Sequence, residues 1–174
     1  MTLLKNQRVA LRAPEPEDLD FFYRWENDTE LWKYGAALSP YSRYALKQYL
    51  AEATSDIYRQ HQLRLMIVEN AGGGVAGTVD LYDFDPHHNR AGVGILVDRA
   101  FRRQGIADAA LELMAEYAFA FLHIHQLFAH ISVFNTPSLA LFEKNGFMAA
   151  GLLRDWLCTA DGYADVCVMQ RVAR

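Results

Sequence analysis

The sequence predicts a mixed α/β fold in which a central sheet is covered by helices on both faces. Apolar residues recur every three to four positions over 105–122, as in an amphipathic helix. Residues 63–69 and 75–83 have the composition of two strands joined by a glycine-rich turn. Two further strands are expected near the end, over 147–158 and 163–171. Helices placed among strands in this order are typical of such a layered sheet.

Before the glycine-rich turn, the sequence predicts one strand and two helices. Residues 8–13 alternate weakly between apolar and polar and indicate a strand. Pro14 and the acidic residues after it suit the start of a helix that runs to about Trp25. An irregular stretch over 27–41 precedes a second helix over 42–58.

After the turn, strands and helices alternate. A strand over 91–97 precedes the amphipathic helix, and a strand over 126–134 follows it. Thr136 can cap, and Pro137 can open, a further helix that Gly146 ends.

The terminal hairpin holds both cysteines. Asp161-Gly162 is the expected two-residue turn. This register places Cys158 opposite Asp165, and it places Cys167 opposite Trp156. The sulfur atoms then lie on opposite faces, so we expect no disulfide, which is typical of a reducing cytoplasm.

Length and charge narrow the class of protein. A chain of 174 residues has the size of one domain, so we expect residues 1–174 to form a single unit. The net charge of −4 argues against general nucleic-acid binding, which needs a basic excess. The start carries no long apolar stretch, and the most apolar region, 117–134, is interrupted by polar residues. We therefore expect a cytoplasmic protein without signal peptide or membrane span.

The junction between the strand over 91–97 and the amphipathic helix has the pattern of an anion site. The first turn of a helix leaves backbone N–H groups unpaired and partly positive. Gly105 and Ala107 let an anion approach that backbone, and Arg102 and Arg103 add charge. The sequence therefore predicts a site for phosphate or pyrophosphate here.

A second glycine pattern has no such meaning. Gly72, Gly74 and Gly77 match the dinucleotide-binding fingerprint letter for letter. That fingerprint must follow a strand and open a helix. The residues after Gly74 alternate as a strand instead, so these glycines mark a turn and a Rossmann fold is excluded.

Two blocks resemble the GNAT family of N-acetyltransferases. Arg102-x-x-Gly105-x-Ala107 is similar to the family's acetyl-CoA pyrophosphate loop. Asn135-Thr136-Pro137-Ser138 and the later Gly146-Phe147 resemble its Asn-x-x-Ser helix start and Gly-Phe strand entry, particularly in the branch of ribosomal-protein and polyamine acetyltransferases. The likeness extends weakly over 8–171. It implies the GNAT fold, with a mostly antiparallel sheet of about seven strands, and acetyl-CoA as co-substrate.

The resemblance implies that the pantetheine arm hydrogen-bonds the backbone of residues 95–97, where an N–H polarises the acetyl carbonyl. Gly92 and Gly94 are expected to leave one face of this strand bare for such a chain. Many relatives carry a Glu in place of Gly92. The expected cofactor-binding residues are Ile95, Leu96, Val97, Arg102, Arg103, Gln104, Gly105, Ile106, Ala107, Asn135, Ser138 and Phe142.

The resemblance also implies candidates for proton transfer. In polyamine-acetylating relatives a Tyr protonates the departing CoA thiolate, but Phe142 stands at that position. In ribosomal-protein-acetylating relatives the donor is a Ser, which corresponds to Ser138. An amine with a pKa of about 10 needs a base at neutral pH, and Asp80 occupies a position where relatives often carry Glu. A solvated carboxylate explains Asp80 equally well. Other candidate bases are Asp85, His87 and His88.

The acceptor side is expected at Trp32, Tyr34, Asp80 and Tyr82. Aromatic walls suit ammonium groups, and they suit core packing equally well. Polyamine-binding relatives carry an acidic run where this chain has Ala36-Ala37-Leu38-Ser39-Pro40-Tyr41. We therefore expect a primary amine that attacks directly, with a protein or peptide N-terminus slightly ahead of a small amine. A polyamine or other small-amine enzyme and a non-catalytic acyl-CoA-binding regulatory module are the alternatives.

Two further expectations concern metals and partners. The histidines and cysteines show no spacing that indicates a metal site. The apolar terminal strands are compatible with a homodimer.

Overall fold

Seven strands form one sheet in the computed structural model, which describes residues 3–34, 38–53 and 56–173. The sheet order is β1-β2-β3-β4-β5-β7-β6, and every neighbouring pair is antiparallel except β4 and β5. This confirms the mixed α/β class and the mostly antiparallel sheet. The strands are β1 (Val9–Arg12), β2 (Leu63–Glu69), β3 (Val75–Asp85), β4 (Arg90–Val97), β5 (Gln126–Ser132), β6 (Met148–Thr159) and β7 (Gly162–Val172).

Helices within the same residues cover both faces of the sheet. They are α1 (Leu19–Glu26), α2 (Thr29–Trp32), α3 (Arg43–Glu52), α4 (Ile57–Gln60), α5 (Ile106–Glu116) and α6 (Thr136–Lys144). Buried residues of α5, such as Leu111 and Met114, belong to the larger core, and we call this side of the sheet the α5 face. Helices α1 and α3 pack on Met66 of β2 in a smaller core, and we call that side the α1 face. Because side chains alternate along strands, Asp80 and Tyr82 project to the α1 face with Met66.

The parallel strands β4 and β5 separate after a short paired segment. Their last pair is Gly92 with Phe128. In the part of the chain that the structure describes, residues 93–97 of β4 have no partner on the β5 side, and residues 129–132 of β5 pair only with β7. The two strands therefore form a wedge-shaped cleft, closed at Gly92 and Phe128 and open toward the ends of both strands.

Several expected boundaries are wrong. The helix over 42–58 is two helices, because the Asp56 side chain accepts from the N–H groups of Tyr58 and Arg59 and so begins a new one. Thr54 and Ser55, between them, lie outside the described residues. The amphipathic helix is α-helical to Glu116 and then forms one turn of π-helix.

The cap of α6 and the register of the terminal hairpin also differ from expectation. Asn135, not Thr136, caps α6, since its side chain reaches the N–H of Ser138 and Asn is as strong a cap as Thr. Thr159 pairs with Gly162, so the turn is one residue earlier than expected and Cys158 lies opposite Tyr163. An irregularity between Leu153 and Leu157 shifts the register again and brings Cys167 opposite Leu152.

Candidate active site

The loop between β4 and α5 presents backbone N–H groups to solvent. Arg103 and Gly105 have left-handed backbone conformations, with φ of 59° and 75°, which turn the chain sharply before α5. Within the described residues, no N–H of residues 103–107 donates to a protein acceptor, and the first donor of α5 is Ala109. Adjacent free donors at the start of a helix suit a diphosphate.

The arginines around this loop do not all point outward. Arg102 turns back, and its Nε donates to the carbonyl oxygen of Val97 at 3.1 Å. Arg8, which precedes β1, donates from Nη1 to the carbonyl oxygen of Gln104 at 3.2 Å. A Cβ at Gly105 would lie 3.5 Å from the same nitrogen. The role of Arg8 is not visible in the sequence, because the residue lies 96 positions from Gln104 and no local pattern marks it.

The open edge of β4 continues from the loop into the cleft. Ile95, Leu96 and Val97 are half-buried along it. An unpaired strand edge can accept an extended ligand as an added strand. Because Arg102 engages the carbonyl oxygen of Val97, the other backbone groups of this edge remain for a ligand.

The start of α6 follows β5 and so lies toward the open end of the cleft. The Oδ1 of Asn135 is 3.4 Å from the backbone nitrogen of Ser138. The Oγ of Ser138 has no protein hydrogen bond among the described residues, and the residue is half-buried. Phe142 departs from its expected role: its ring is 2% exposed and packs on Phe147 in the core, which leaves little of it to contact a ligand.

Asp80 is held by an arginine on the neighbouring strand. Arg64 donates from Nε to Oδ1 at 2.7 Å and from Nη2 to Oδ2 at 3.2 Å, while its Nη1 donates to Glu26 at 3.2 Å. The rings of Phe22 and Tyr49 flank the guanidinium. Although burial disfavours its charge, Asp80 raises the pKa of Arg64, so the arginine stays charged. Two carboxylates and one guanidinium leave this group with one net negative charge.

The ring of Tyr82 crosses β4 on the α1 face. A Cβ at Gly92 would lie 2.3 Å from that ring, and one at Gly94 would lie 3.8 Å from it. The ring also meets Phe128 of β5 edge-on, with centroids 5.9 Å apart. The expectation of a bare face at Gly92 is therefore wrong, because the ring of Tyr82 covers that residue.

Trp32 and Tyr34 form a wall that reaches across the α1 face. The Nε1 of Trp32 donates to the carbonyl oxygen of Glu26 at 2.8 Å. Tyr34, 47% exposed, lies 5.8 Å from the ring of Phe134, between β5 and α6. Of the run 36–41, Ala36 and Ala37 lie outside the described residues.

Polar contacts join α1 and the start of α2 to the loop between β4 and α5. Asp98 accepts from Arg24 and from the Nε1 of Trp25, the latter at 2.7 Å. Burial opposes its ionisation, but the hydrogen bonds from Trp25, the loop backbone and Arg24 lower the pKa of Asp98. Arg99 pairs with Asp28 at 3.0 Å. The loop is therefore joined to α1 and to Asp28, the residue that caps the helix carrying Trp32.

Across residues 3–34, 38–53 and 56–173, no three side chains of His, Cys, Asp or Glu are grouped as for a metal ion. No helix in these ranges is long and apolar enough to cross a membrane.

The chain is similar to known acetyltransferases in both sequence and structure. Residues 8–148 match the family model of the acetyltransferase (GNAT) domain. The spermidine N(1)-acetyltransferase of Vibrio cholerae is 26% identical over 165 residues, which cover 92% of this chain and 91% of that protein. A crystal structure of spermidine N-acetyltransferase from Vibrio cholerae in complex with CoA and spermine is similar with a TM-score of 0.85, at 24% identity over 96% of both chains. A dodecameric structure of spermidine N-acetyltransferase from Vibrio cholerae has a TM-score of 0.81, at 25% identity over 96% of this chain and 95% of that one.

Proposed function

Because the chain belongs to the GNAT acetyltransferase family, we propose that it acetylates a primary amine by direct attack in the cleft between β4 and β5. The family match confirms the expected N-acetyltransferase. The CoA bound in the similar spermidine N-acetyltransferase structure supports acetyl-CoA as the co-substrate. The observation that carries the site assignment is the row of free N–H groups at 103–107, at the open end of that cleft. When bound, acetyl-CoA supplies the acetyl group as a reactive thioester.

The residues present fit this co-substrate. The backbone of 103–107 would hold the diphosphate, and Arg8 and Arg103 would add positive charge beside it. The open edge at 95–97 would bind the pantetheine arm as an added strand. A backbone N–H of this edge would stabilise the charge that develops on the carbonyl oxygen.

Asp80 is the proposed proton acceptor. The net negative charge that Asp80 and Glu26 share with Arg64 favours an ammonium acceptor over an anion. Both oxygens of Asp80 accept from Arg64, which fixes the carboxylate and leaves further lone pairs to take a proton, directly or through water.

Ser138 is the proposed proton donor to the thiolate. Its hydroxyl lies toward the open end of the cleft and is free of other protein partners among the described residues. A thiol has an ordinary pKa of about 8.5, so its thiolate leaves with modest assistance near neutral pH.

For the acceptor we place a protein or peptide N-terminus first and a small amine second. The run 36–41 supports this order, because it has no acidic residue where polyamine-binding relatives carry an acidic run. The relatives named as spermidine acetyltransferases support the alternative, a polyamine acceptor.

Release of free thiol from acetyl-CoA tests the proposal across a panel of N-terminal peptides, amino acids, spermidine and spermine. We expect turnover with at least one amine. Binding of acetyl-CoA without turnover on any of them would support the non-catalytic acyl-CoA-binding module instead.

We further propose that residues 1–174 act as one unit, as a homodimer, in the cytoplasm. The sheet extends from Val9 to Val172, which supports a single unit. Met148 and Trp156 are 67% and 59% exposed on the edge strand β6, and such apolar side chains suit a subunit contact. The exposed thiol of Cys158 suits a reducing compartment. Sedimentation at several concentrations tests the dimer.

A further inference from the structure

Tyr82 lies at the closed end of the cleft. Its ring spans β4 from Gly92, the last residue paired with β5, to Gly94 on the open edge. It contacts the ring of Phe128, the partner of Gly92, on the α1 face. The tyrosine therefore bridges the two strands where they part.

Gly92 is required by this arrangement. A Cβ at that position would lie 2.3 Å from the ring of Tyr82, a distance that real side chains do not adopt. The ring thus fills the space above residue 92, and Tyr82 and Gly92 act as a matched pair.

The direction of a bound co-substrate follows from the shape of the cleft. The open edge, residues 93–97, is about 16 Å long at roughly 3.3 Å per residue. A ligand whose diphosphate is held at 103–107 and whose arm follows this edge has its far end directed toward the closed end. In acetyl-CoA that far end is the acyl group, whose carbon chain therefore extends from the sulfur toward Tyr82 and Phe128.

We propose that the ring of Tyr82 limits the length of the acyl chain, so that the cleft accepts acetyl and excludes propionyl and longer groups. The inference rests on the proposed function, because the diphosphate site sets the direction of the arm. Burial raises the pKa of Tyr82, so the side chain is neutral at physiological pH and presents an uncharged ring to the acyl group.

The test compares Tyr82→Ala with the wild type in binding and using acetyl-, propionyl- and butyryl-CoA. Calorimetry gives the dissociation constants, and thiol release with an accepted amine gives kcat/KM. One methylene in a tight pocket changes kcat/KM by roughly 10- to 200-fold. We expect the preference for propionyl over acetyl, by both measures, to rise at least about tenfold in Tyr82→Ala. Tyr82→Phe keeps the aromatic ring and should leave the preference for propionyl over acetyl unchanged.

Tyr58 provides a matched control. It also packs edge-on against a phenylalanine, Phe84, with centroids 5.3 Å apart, but it lies on α4 and is 60% exposed. Tyr58→Ala should leave the chain-length preference of the wild type intact. If Tyr82→Ala does not fold, Tyr82→Leu removes the aromatic ring with a smaller loss of packing and gives the same test.

The outcomes separate this inference from the proposed function. A wild type that binds no acyl-CoA would overturn the proposed function. A wild type that binds and uses acetyl-CoA, with the same chain-length preference in Tyr82→Ala or Tyr82→Leu, would overturn the inference alone. If the chain-length preference of Tyr82→Phe shifted as far as that of Tyr82→Ala, the aromatic ring would not be the group that limits the acyl chain.

Discussion

Gly105 and Gly146 allow the diphosphate loop to be tested against a matched control. Both have left-handed backbones, with φ of 75° and 78°, and both lie at a helix end. A Cβ would have an arginine as its nearest neighbour in each case, Arg8 at 3.5 Å and Arg171 at 3.6 Å. Alanine therefore introduces similar backbone strain and similar contacts at both positions, but only Gly105 belongs to the loop.

We expect Gly105→Ala and Gly146→Ala to lose similar stability, about 1–2 kcal/mol from the strain of a left-handed residue. For a chain of this size that lowers Tm by about 2–8 °C. Only Gly105→Ala should weaken acetyl-CoA binding, because its methyl group would lie 3.5 Å from Nη1 of Arg8 within the loop that carries the free N–H groups. Loss of one hydrogen bond to a charged group costs about 1.5–3 kcal/mol, which raises Kd roughly 10- to 150-fold.

Calorimetric titration with acetyl-CoA, below the Tm of both variants, measures this effect. Circular dichroism confirms that each variant is folded at that temperature. Equal affinity in the two variants, at wild-type or at reduced strength, would refute the assignment of the loop.

Three other predictions concern catalysis and stability. Asp80→Asn should lower kcat in thiol release by about 10²- to 10⁴-fold with little change in the Kd of acetyl-CoA. Asp85→Asn, the control, should keep the wild-type kcat. An unchanged kcat in Asp80→Asn would exclude Asp80 as the base. Ser138→Ala should lower kcat by a factor that shrinks as pH rises past about 8.5, and a kcat unchanged at every pH clears Ser138 of the acid role. Burial opposes the charge of Asp18, but its hydrogen bonds with Arg12 lower the pKa of Asp18. The ionised carboxylate therefore stabilises the fold fully above the unfolded-state pKa of about 4, and this stabilisation is lost as the pH falls through the lower pKa of the folded state. In urea unfolding at pH 7, Asp18→Asn should lower the free energy of unfolding by about 2 kcal/mol. The variant should also lose less stability than the wild type when the pH is lowered, and an equal loss in both proteins would contradict the prediction.

Local patterns in the sequence predicted most of the fold. The apolar stripe of α5 and the hairpin of β2 and β3 depend on residues a few positions apart, and both were identified correctly. The predicted helix cap and the predicted hairpin turn were wrong where two local conformations differ little in free energy. Asn135 and Thr136 are comparable caps, and a two-residue turn in the last hairpin fits at more than one position.

The parts of the site that the sequence did not reveal depend on contacts between distant residues. The proposed diphosphate loop is predicted from the sequence because its glycine, arginines and helix start are consecutive. The contact of Arg8 with the loop, and the position of Tyr82 over Gly92, are set by how strands pair and side chains pack across the sheet. The ion pair of Arg64 with Asp80 follows from the register of β2 and β3, which no spacing in the sequence specifies.

A crystal structure with bound CoA tests the central claim most directly. We predict diphosphate oxygens within about 3 Å of backbone nitrogens of residues 103–107, with the pantetheine arm along the edge of β4. Diphosphate density elsewhere on the surface, with these N–H groups bonded to protein or water, would contradict the account.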